Sequence, residues 1–312
     1  MASWPACRAR VTLDRATIGP LRLPDPLHTP IDMPTFLRRI APITGVLILV
    51  NLGLFLYQVA TGISPTNPEL DDLGRWGANI AALTLTGESW RLLASMFLHI
   101  GVLHLALNMI SLLFLGSIAE RNFGKLNYLL VYFLSGLGGS LVSALWNARP
   151  QAAADLSNAT PTIYLVVSAG ASGAVMGLAA AAIMLKLLKN ASREPLALPF
   201  SAVELAVLVG INVVYGWQTN GTDNACHIGG LLAGAVVGLV LGAVRNTPRP
   251  VRIAAWLLVL VAAAWGTQRI LDVNEARADL MEIREELDQE SMDNAKVNPG
   301  RDNDAAPVSG RR

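Results

Sequence analysis

Seven long apolar runs constrain this chain more than any other feature of its sequence. They lie at about 41–60, 97–118, 126–146, 163–188, 199–217, 225–244 and 252–268. A helix that crosses the hydrocarbon core of a bilayer needs roughly 20 mostly apolar residues. Only 15% of the residues are charged, whereas soluble domains carry about a quarter. The sequence therefore predicts an all-α polytopic membrane protein with seven transmembrane helices.

Basic residues in the connections predict the orientation of these helices, because Lys and Arg accumulate on the cytoplasmic side. Arg38 and Arg39 directly precede the first run. Every second connection after that is basic, with Arg121, Lys125, Lys186, Lys189, Arg193, Arg245, Arg249 and Arg252. The intervening connections carry Arg75, Arg91 and Arg149. We therefore expect a cytoplasmic N-terminus and, after seven crossings, a C-terminus outside.

The two ends of the chain differ from its apolar centre. Residues 1–39 are rich in Arg and Pro and lack the apolar core of a signal peptide, which predicts a cytoplasmic tail. We assign 246–270 to the seventh transmembrane helix and 271–312 to a polar C-terminal tail. Within 270–290, Leu280 and neighbouring apolar residues recur at helical spacing, which favours a solvated amphipathic helix continuing from the seventh span. A coiled-coil segment is the alternative.

Two features depart from a simple bundle of seven helices. The connection 61–96 is long and semi-apolar, so we expect it to pack at the bilayer interface. The fourth run is interrupted by Gly170, Ser172, Gly173 and Gly177. We predict a break near 170–172, because non-helical backbone at membrane depth must line a cavity or be buried in protein.

Few polar side chains lie within the runs, and intramembrane polar groups are functional candidates by default. The second run carries His99, His104 and Asn108, the fourth carries Ser172, and the sixth carries His227. These three runs all cross inward in the predicted topology. At a rise of roughly 1.5 Å per residue, His104, Asn108, Ser172 and His227 fall at a similar depth in the outer half of the bilayer. Convergence of three helices at one depth predicts a site.

The residue types at this depth predict nucleophilic chemistry. A serine hydroxyl needs a base to take its proton, and the imidazole of His227 can do so. Free N–H groups at a helix N-terminus beside Ser172 could stabilise an oxyanion, and His104 and Asn108 share a helix face from which both can donate. His99 is about 140° away around that helix and is assigned a structural role. With no aspartate in the membrane, the prediction is a Ser–His dyad.

The alternative to a catalytic role is that Ser172 is only a small residue at a contact between two helices. Glycines spaced four apart on the fourth and sixth runs favour close packing of those two helices in either case. They are Gly173 and Gly177 on the fourth run, and Gly230, Gly234, Gly238 and Gly242 on the sixth.

Four motifs in order resemble the rhomboid family of intramembrane serine proteases, over residues 40–245. The resembling motifs are Trp90-Arg91, the His-x4-His-x3-Asn pattern of His99, His104 and Asn108, Gly170-Ala171-Ser172-Gly173, and Asp223-Asn224-Ala225-Cys226-His227-Ile228-Gly229-Gly230 followed by Gly234. Glu120 matches a structural acidic position of the family.

The resemblance implies a six-helix catalytic core at 40–245 with one extra C-terminal transmembrane helix. It implies that Ser172 attacks the peptide bond, that His227 is the general base and then acid, and that Asn108, His104 and the Ser172 N–H form an oxyanion hole. It assigns structural roles near the site to Gly170, Gly173, Gly230, Gly234, His99, Trp90, Arg91 and Glu120. Met176 stands where the family often has an aromatic residue against the base, which implies a different packing of His227.

The expected substrates are single-pass membrane proteins cleaved in their transmembrane segments near the outer face, in the plasma (inner) membrane of a bacterium. The lipid bilayer is the other expected partner, and the net charge of +1 does not favour a nucleic acid. We expect no cofactor and no metal, since there is no His-Glu-x-x-His motif. A catalytically inactive rhomboid-like protein that binds membrane clients is one alternative. A transporter is another, although it would favour paired helix interruptions in two repeats.

Overall fold

The computed structural model describes residues 41–148, 152–153, 162–163, 166–188, 201–218 and 223–297. The predicted N-terminal tail and the last fifteen residues of the C-terminal tail lie outside these ranges. The elements in chain order are α1 (Pro42–Ala60), α2 (Leu70–Arg75), β1 (Asn79–Ile80), α3 (Ala81–Leu85), α4 (Arg91–Ala94), α5 (Gly101–Ser111), α6 (Ser117–Phe123), α7 (Lys125–Asn147), β2 (Ala152–Ala153), β3 (Thr162–Ile163), β4 (Val167–Ser168), α8 (Ser172–Leu187), α9 (Ala202–Gln218), α10 (Asn224–Val244), α11 (Arg249–Glu275) and α12 (Ala278–Val297).

The prediction of an all-α membrane protein is confirmed. A π-helical turn at Leu112–Gly116 joins α5 to α6, so that Gly101–Phe123 is one apolar helix. Within the described ranges, five helices are long and apolar enough to cross a membrane: α1, the helix Gly101–Phe123, α7, α10 and α11. The fourth and fifth apolar runs form shorter helices, Ser172–Leu187 and the apolar part Ala202–Val214 of α9.

Two predicted boundaries were wrong. The second helix begins at Gly101 rather than near residue 97, because a 3₁₀ turn at Ser95–Phe97 and extended backbone at Leu98 precede it. The predicted break in the fourth run is confirmed, because β4 pairs with β1 and the helix begins only at Ser172. The seventh continues to Glu275, beyond the predicted end near 268.

Helix α8 lies at the centre of the fold. Every residue from Gly173 to Ala182 is buried, and nearly all of them are small or apolar. Helices α7, α9 and α10 pack around it. A helix that is apolar on all sides belongs inside a bundle, which accounts for its position.

The glycine stripe of α10 lies directly against α8. A Cβ atom placed on Gly230 would be 2.1 Å from the carbonyl oxygen of Gly173, and one on Gly234 would be 2.3 Å from that of Gly177. No side chain fits at such distances, so the two backbones are in contact, as the spacing of the glycines predicts.

Glu120 caps the first helix from the end of the second. Its carboxylate accepts hydrogen bonds from the backbone N–H groups of Ile43 and Thr44 and from the Thr44 hydroxyl, at 3.1, 2.8 and 2.9 Å. The first N–H groups of a helix have no partner within it, and a carboxylate there also interacts favourably with the helix dipole. Glu120 therefore joins the two helices at one membrane face.

The expectation of a solvated helix continuing from the seventh span was wrong in two respects. The chain turns at Ala276 and Arg277, so α12 is a separate helix rather than a continuation of α11. One side of α12 is also not solvated, because Leu280 is 1% exposed and contacts α3 and the end of α7.

We predict that Gly234→Ala lowers the free energy of unfolding in detergent by about 1–3 kcal/mol, because the new methyl group must push apart two helices in backbone contact. Gly210→Ala in α9 is the matched control, since a Cβ there meets nothing within 4 Å. That variant should be neutral or slightly stabilising. Thermal or denaturant unfolding of both variants checks the prediction, and equal stability of the two would contradict it.

Candidate active site

Ser172 is the first residue of α8 and follows a sharp turn. Gly170 has a φ of +126°, a conformation that favours glycine. The Gly170 N–H donates to the carbonyl oxygen of Ser95 at 2.8 Å. Just before the turn, β4 pairs antiparallel with β1, with Asn79 opposite Ser168. The backbone that leads into Ser172 is thus held on both sides by the long loop between the first two transmembrane helices.

The N-terminus of α8 has no side-chain cap, because its N-cap residue is Ala171. The first N–H groups of a helix need external acceptors, and the positive end of the helix dipole lies at the same place. Ser172 is half-buried at this terminus, so its hydroxyl lies beside groups that can bind an anionic oxygen.

His104 and Asn108 face the same turn from α5. A Cβ on Gly170 would lie 2.7 Å from His104 Cε1, 3.0 Å from His104 Nε2 and 3.8 Å from Asn108 Nδ2. His104 Nδ1 accepts a hydrogen bond from the N–H of Ile100 at 3.3 Å, which assigns the ring proton to Nε2. One Asn108 amide hydrogen is used on the carbonyl oxygen of His104, at 3.0 Å. Both side chains therefore keep a donor available beside the turn at Gly170.

His99 lies closer to His104 than the helical spacing predicted. The two ring centroids are 5.3 Å apart, and His99 is 1% exposed. The angular argument was wrong here, because the helix begins only at Gly101 and His99 belongs to the turn before it. His99 is thus a buried neighbour of His104.

His227 is in the first turn of α10, where it is buried. The preceding residue, Cys226, brings this turn against α8, since a Cβ on Gly173 would lie 2.9 Å from Cys226 Sγ. The residue before His227 thus lies beside the residue after Ser172. In the part of the chain that the structure describes, no hydrogen bond joins Ser172 Oγ to His227, and His227 Nδ1 is buried without a partner. Such bonds are often long before substrate binds.

Met176 does not bring an aromatic contact to this region. It is buried one turn after Ser172 on α8. Among the described residues, no aromatic ring stacks on His227.

Asp223 is a contributor to the site that sequence reasoning left without a role. Its side chain accepts from the Cys226 N–H at 3.1 Å and from the Ser143 hydroxyl of α7. It therefore caps α10 and fixes the turn that carries His227. An aspartate directly before an apolar run is an N-cap signal and could have predicted the cap. The contact with Ser143 has no sequence signal, because it joins residues 80 positions apart.

Arg91 is the buried centre of the long loop. Its guanidinium makes hydrogen bonds to Glu88, at 2.9 Å, and to the carbonyl oxygens of Gly74 and Ala78. Burial lowers the pKa of Arg91, while the charge of Glu88 opposes that effect. Its Cζ atom also lies 4.9 Å from the centre of the Trp90 ring, within the range of a cation–π contact. The Trp-Arg pair thus holds loop backbone rather than reaching Ser172.

Comparison with known proteins agrees with this fold. A Rhomboid domain family model matches residues 86–244. The chain is 34% identical to Rhomboid protease AarA of Providencia stuartii over 256 residues, which covers 80% of this chain and 89% of that protein. It is 30% identical to Rhomboid protease GluP of Bacillus subtilis (strain 168) over 77% of this chain and 42% of that protein. It is also 35% identical to RHOMBOID-like protein 5 of Arabidopsis thaliana, over 61% and 56% of the two chains.

The architecture, a bundle of apolar helices packed around the central helix α8, is that of a polytopic membrane protein. The chain belongs to the rhomboid family of intramembrane serine endopeptidases.

We predict that Gly170→Ala lowers the free energy of unfolding by about 1–3 kcal/mol more than Gly124→Ala does, because only the first adds a clash with His104. Both glycines have positive φ, but a Cβ on Gly124 meets nothing within 4 Å. Both substitutions place an alanine in a backbone conformation with positive φ, so both carry the cost of that conformation. The difference between their stabilities therefore isolates the contact with the His104 ring. Denaturant unfolding of the two variants measures it, and equal losses would place His104 away from the turn.

Proposed function

We propose that Ser172 is the nucleophile of this protease and that His227 is its general base. The observation that carries the proposal is the convergence of three elements on one turn. Donors of His104 and Asn108 face Gly170, α8 begins at Ser172 without a side-chain cap, and Cys226 packs the first turn of α10 on Gly173.

The chemistry that follows is acyl transfer. Ser172 Oγ attacks the carbonyl carbon of the scissile peptide bond as His227 takes the hydroxyl proton. The tetrahedral intermediate collapses when His227 returns that proton to the leaving nitrogen, and the C–N bond breaks. Water then hydrolyses the ester of Ser172 by the same two proton transfers. No carboxylate is needed next to His227 in this scheme.

The negative oxygen of the intermediate is the group that His104, Asn108 and the Ser172 N–H would stabilise. Three donors around one position match the requirement for preorganised hydrogen bonds aimed at developing charge. The turn at Gly170 gives room for that oxygen, because a side chain there would occupy the space beside His104.

The topology we propose has the N-terminus in the cytoplasm and the C-terminus outside. Contacts between α12 and the loop after α1 put these two segments on the same face of the membrane, which agrees with an even number of crossings, here six, between them. Strand β1 of that loop pairs with β4, which directly precedes the turn to Ser172. The site therefore faces the outer side in this topology. We assign 1–39 to a cytoplasmic tail, 40–245 to the catalytic core and the helix Arg249–Glu275 to the seventh crossing of the membrane.

Substrates on this proposal are single-pass transmembrane proteins cleaved near the outer face. A helix hides its peptide carbonyl groups in hydrogen bonds, so the segment that reaches Ser172 must first unwind. We place the enzyme in the plasma (inner) membrane of a bacterium, where such substrates can reach the bundle from the lipid phase.

We predict that Ser172→Ala and His227→Ala each abolish cleavage of a reporter transmembrane substrate, while expression and unfolding temperature stay at the wild-type values. A fluorophosphonate probe should label the wild-type protein but not Ser172→Ala, because only an activated serine is phosphonylated. Cleavage by Ser172→Ala at the wild-type rate would refute the mechanism.

We predict that Asn108→Ala lowers kcat by about 10²–10³, the usual loss when one oxyanion donor is removed. Asn122→Ala is the matched control. Both amides donate to the carbonyl oxygen four residues earlier in the same transmembrane helix, at 3.0 and 2.8 Å. The control loses the same helix bond far from Ser172 and should keep its activity. Equal effects of the two variants on kcat would remove Asn108 from the oxyanion site.

A further inference from the structure

The C-terminal helix α12 is bound to the long loop that precedes the second transmembrane helix. Leu280 is 1% exposed and lies in a cluster with Ala81 and Leu85 of α3 and with Ala144 and Ala148 at the C-terminal end of α7. The preceding helix α11 packs little against the rest of the protein, since only 6% of its most apolar stretch is buried. The C-terminal segment is therefore attached to the rest of the protein chiefly at this loop.

Arg284 adds polar contacts to the same loop. Its guanidinium donates to the carbonyl oxygen of Thr86, to the Thr86 hydroxyl at 3.0 Å, and to Glu88 Oε1 at 3.0 Å. Only 17% of the Arg284 side chain is exposed, so this pair is better shielded from water than an ordinary surface salt bridge. Arg277, at the start of α12, donates to the carbonyl oxygen of Ala148 at 2.9 Å.

Glu88 links this helix to the centre of the loop. One of its oxygens binds Arg284 and the other binds the buried Arg91, at 3.0 and 2.8 Å. Arg91 in turn donates to the carbonyl oxygen of Ala78 at 3.1 Å. The next residue, Asn79, begins the strand β1.

Strand β1 continues the path to the proposed nucleophile. Ile80 pairs with Val167 and Asn79 with Ser168, which lies four residues before Ser172. The Asn79 side chain donates to the carbonyl oxygen of Ser140 in α7 at 2.8 Å, so the strand is also fixed to the bundle. A continuous series of hydrogen bonds and ion pairs thus runs from α12 to the backbone of the active-site turn.

We infer that α12 positions the long loop for catalysis, and that Leu280 and Arg284 are positioning residues of this protease. The inference rests on the proposed function, because it takes Ser172 as the reacting group. Loosening the loop reduces the fraction of molecules in which the turn and the oxyanion donors are aligned, and misalignment of about 1 Å can lower a rate by about 10²-fold. Substrate binding in the bilayer depends less on this alignment.

Hydrogen exchange tests the structural half of the inference independently of catalysis. In the Ser172→Ala background, Arg284→Ala and Leu280→Ala should each raise the exchange rate of amides in residues 79–91 by at least about fivefold, because local opening becomes easier. Glu285→Ala is the matched control, since it changes an exposed position of the same helix and should leave these rates unchanged. Unchanged exchange in both test variants would overturn the inference.

Kinetics test the functional half in the enzyme with Ser172 intact. Arg284→Ala should lower kcat for a reporter transmembrane substrate by about fivefold to tenfold with KM nearly constant, since the loss is in alignment rather than binding. Arg284→Lys, which keeps the charge pair with Glu88 but loses the forked geometry, should recover part of kcat. A chain ending after Val297 should match the full-length enzyme, whereas one ending after Glu275 should resemble Arg284→Ala or be slower.

A wild-type kcat in Arg284→Ala and in the chain ending after Glu275 would overturn the inference, and so would a change confined to KM. Failure of the proposed function is seen elsewhere, as cleavage by Ser172→Ala. In that case the exchange results would still report whether α12 holds the loop.

Discussion

Backbone contact between α8 and α10 is the constraint on which the rest of this structure depends. Gly230 and Gly234 leave no space for a side chain against the carbonyl oxygens of Gly173 and Gly177. In a bilayer, lipid tails are as apolar as the side chains, so association of helices relies on close van der Waals contact of this kind. Because Ser172 and His227 occupy the first turns of these two helices, the same contact that stabilises the bundle brings together the two turns that carry the proposed catalytic groups.

A second constraint acts from the loop between the first two transmembrane helices. Arg91 is buried and satisfied by Glu88 and by two backbone carbonyl oxygens. A buried charge without partners is costly, so this network keeps the loop in one conformation. The loop supplies β1 and the carbonyl oxygen of Ser95, which together hold the turn at Gly170. The glycine contact therefore sets the distance between helices, and the loop sets the conformation of the turn.

Much of this arrangement was predictable because a bilayer leaves few solutions. Apolar length predicts the helices, and the glycines around Ser172 predict the break before α8. His104 and Asn108 share a helix face by spacing alone. His99 was placed wrongly because spacing does not reveal that the helix begins at Gly101. Asp223 was left without a role because its partner, Ser143, is on another helix. Helix α12 was expected to be solvated because the loop surface that buries Leu280 is formed by distant residues.

The sequence by itself determined the class of protein, the family and the set of polar residues available at one membrane depth. These follow from hydropathy, spacing and motif order, which are local properties of the chain. Only the tertiary structure decided which groups face Ser172, since His104 reaches Gly170 and Cys226 reaches Gly173 through contacts between different helices. It also decided that the C-terminal helix lies on the long loop, through Leu280 and the Arg284–Glu88 pair. The physical reason is that packing and charge pairing depend on distances in space, whereas sequence patterns report only distances along the chain.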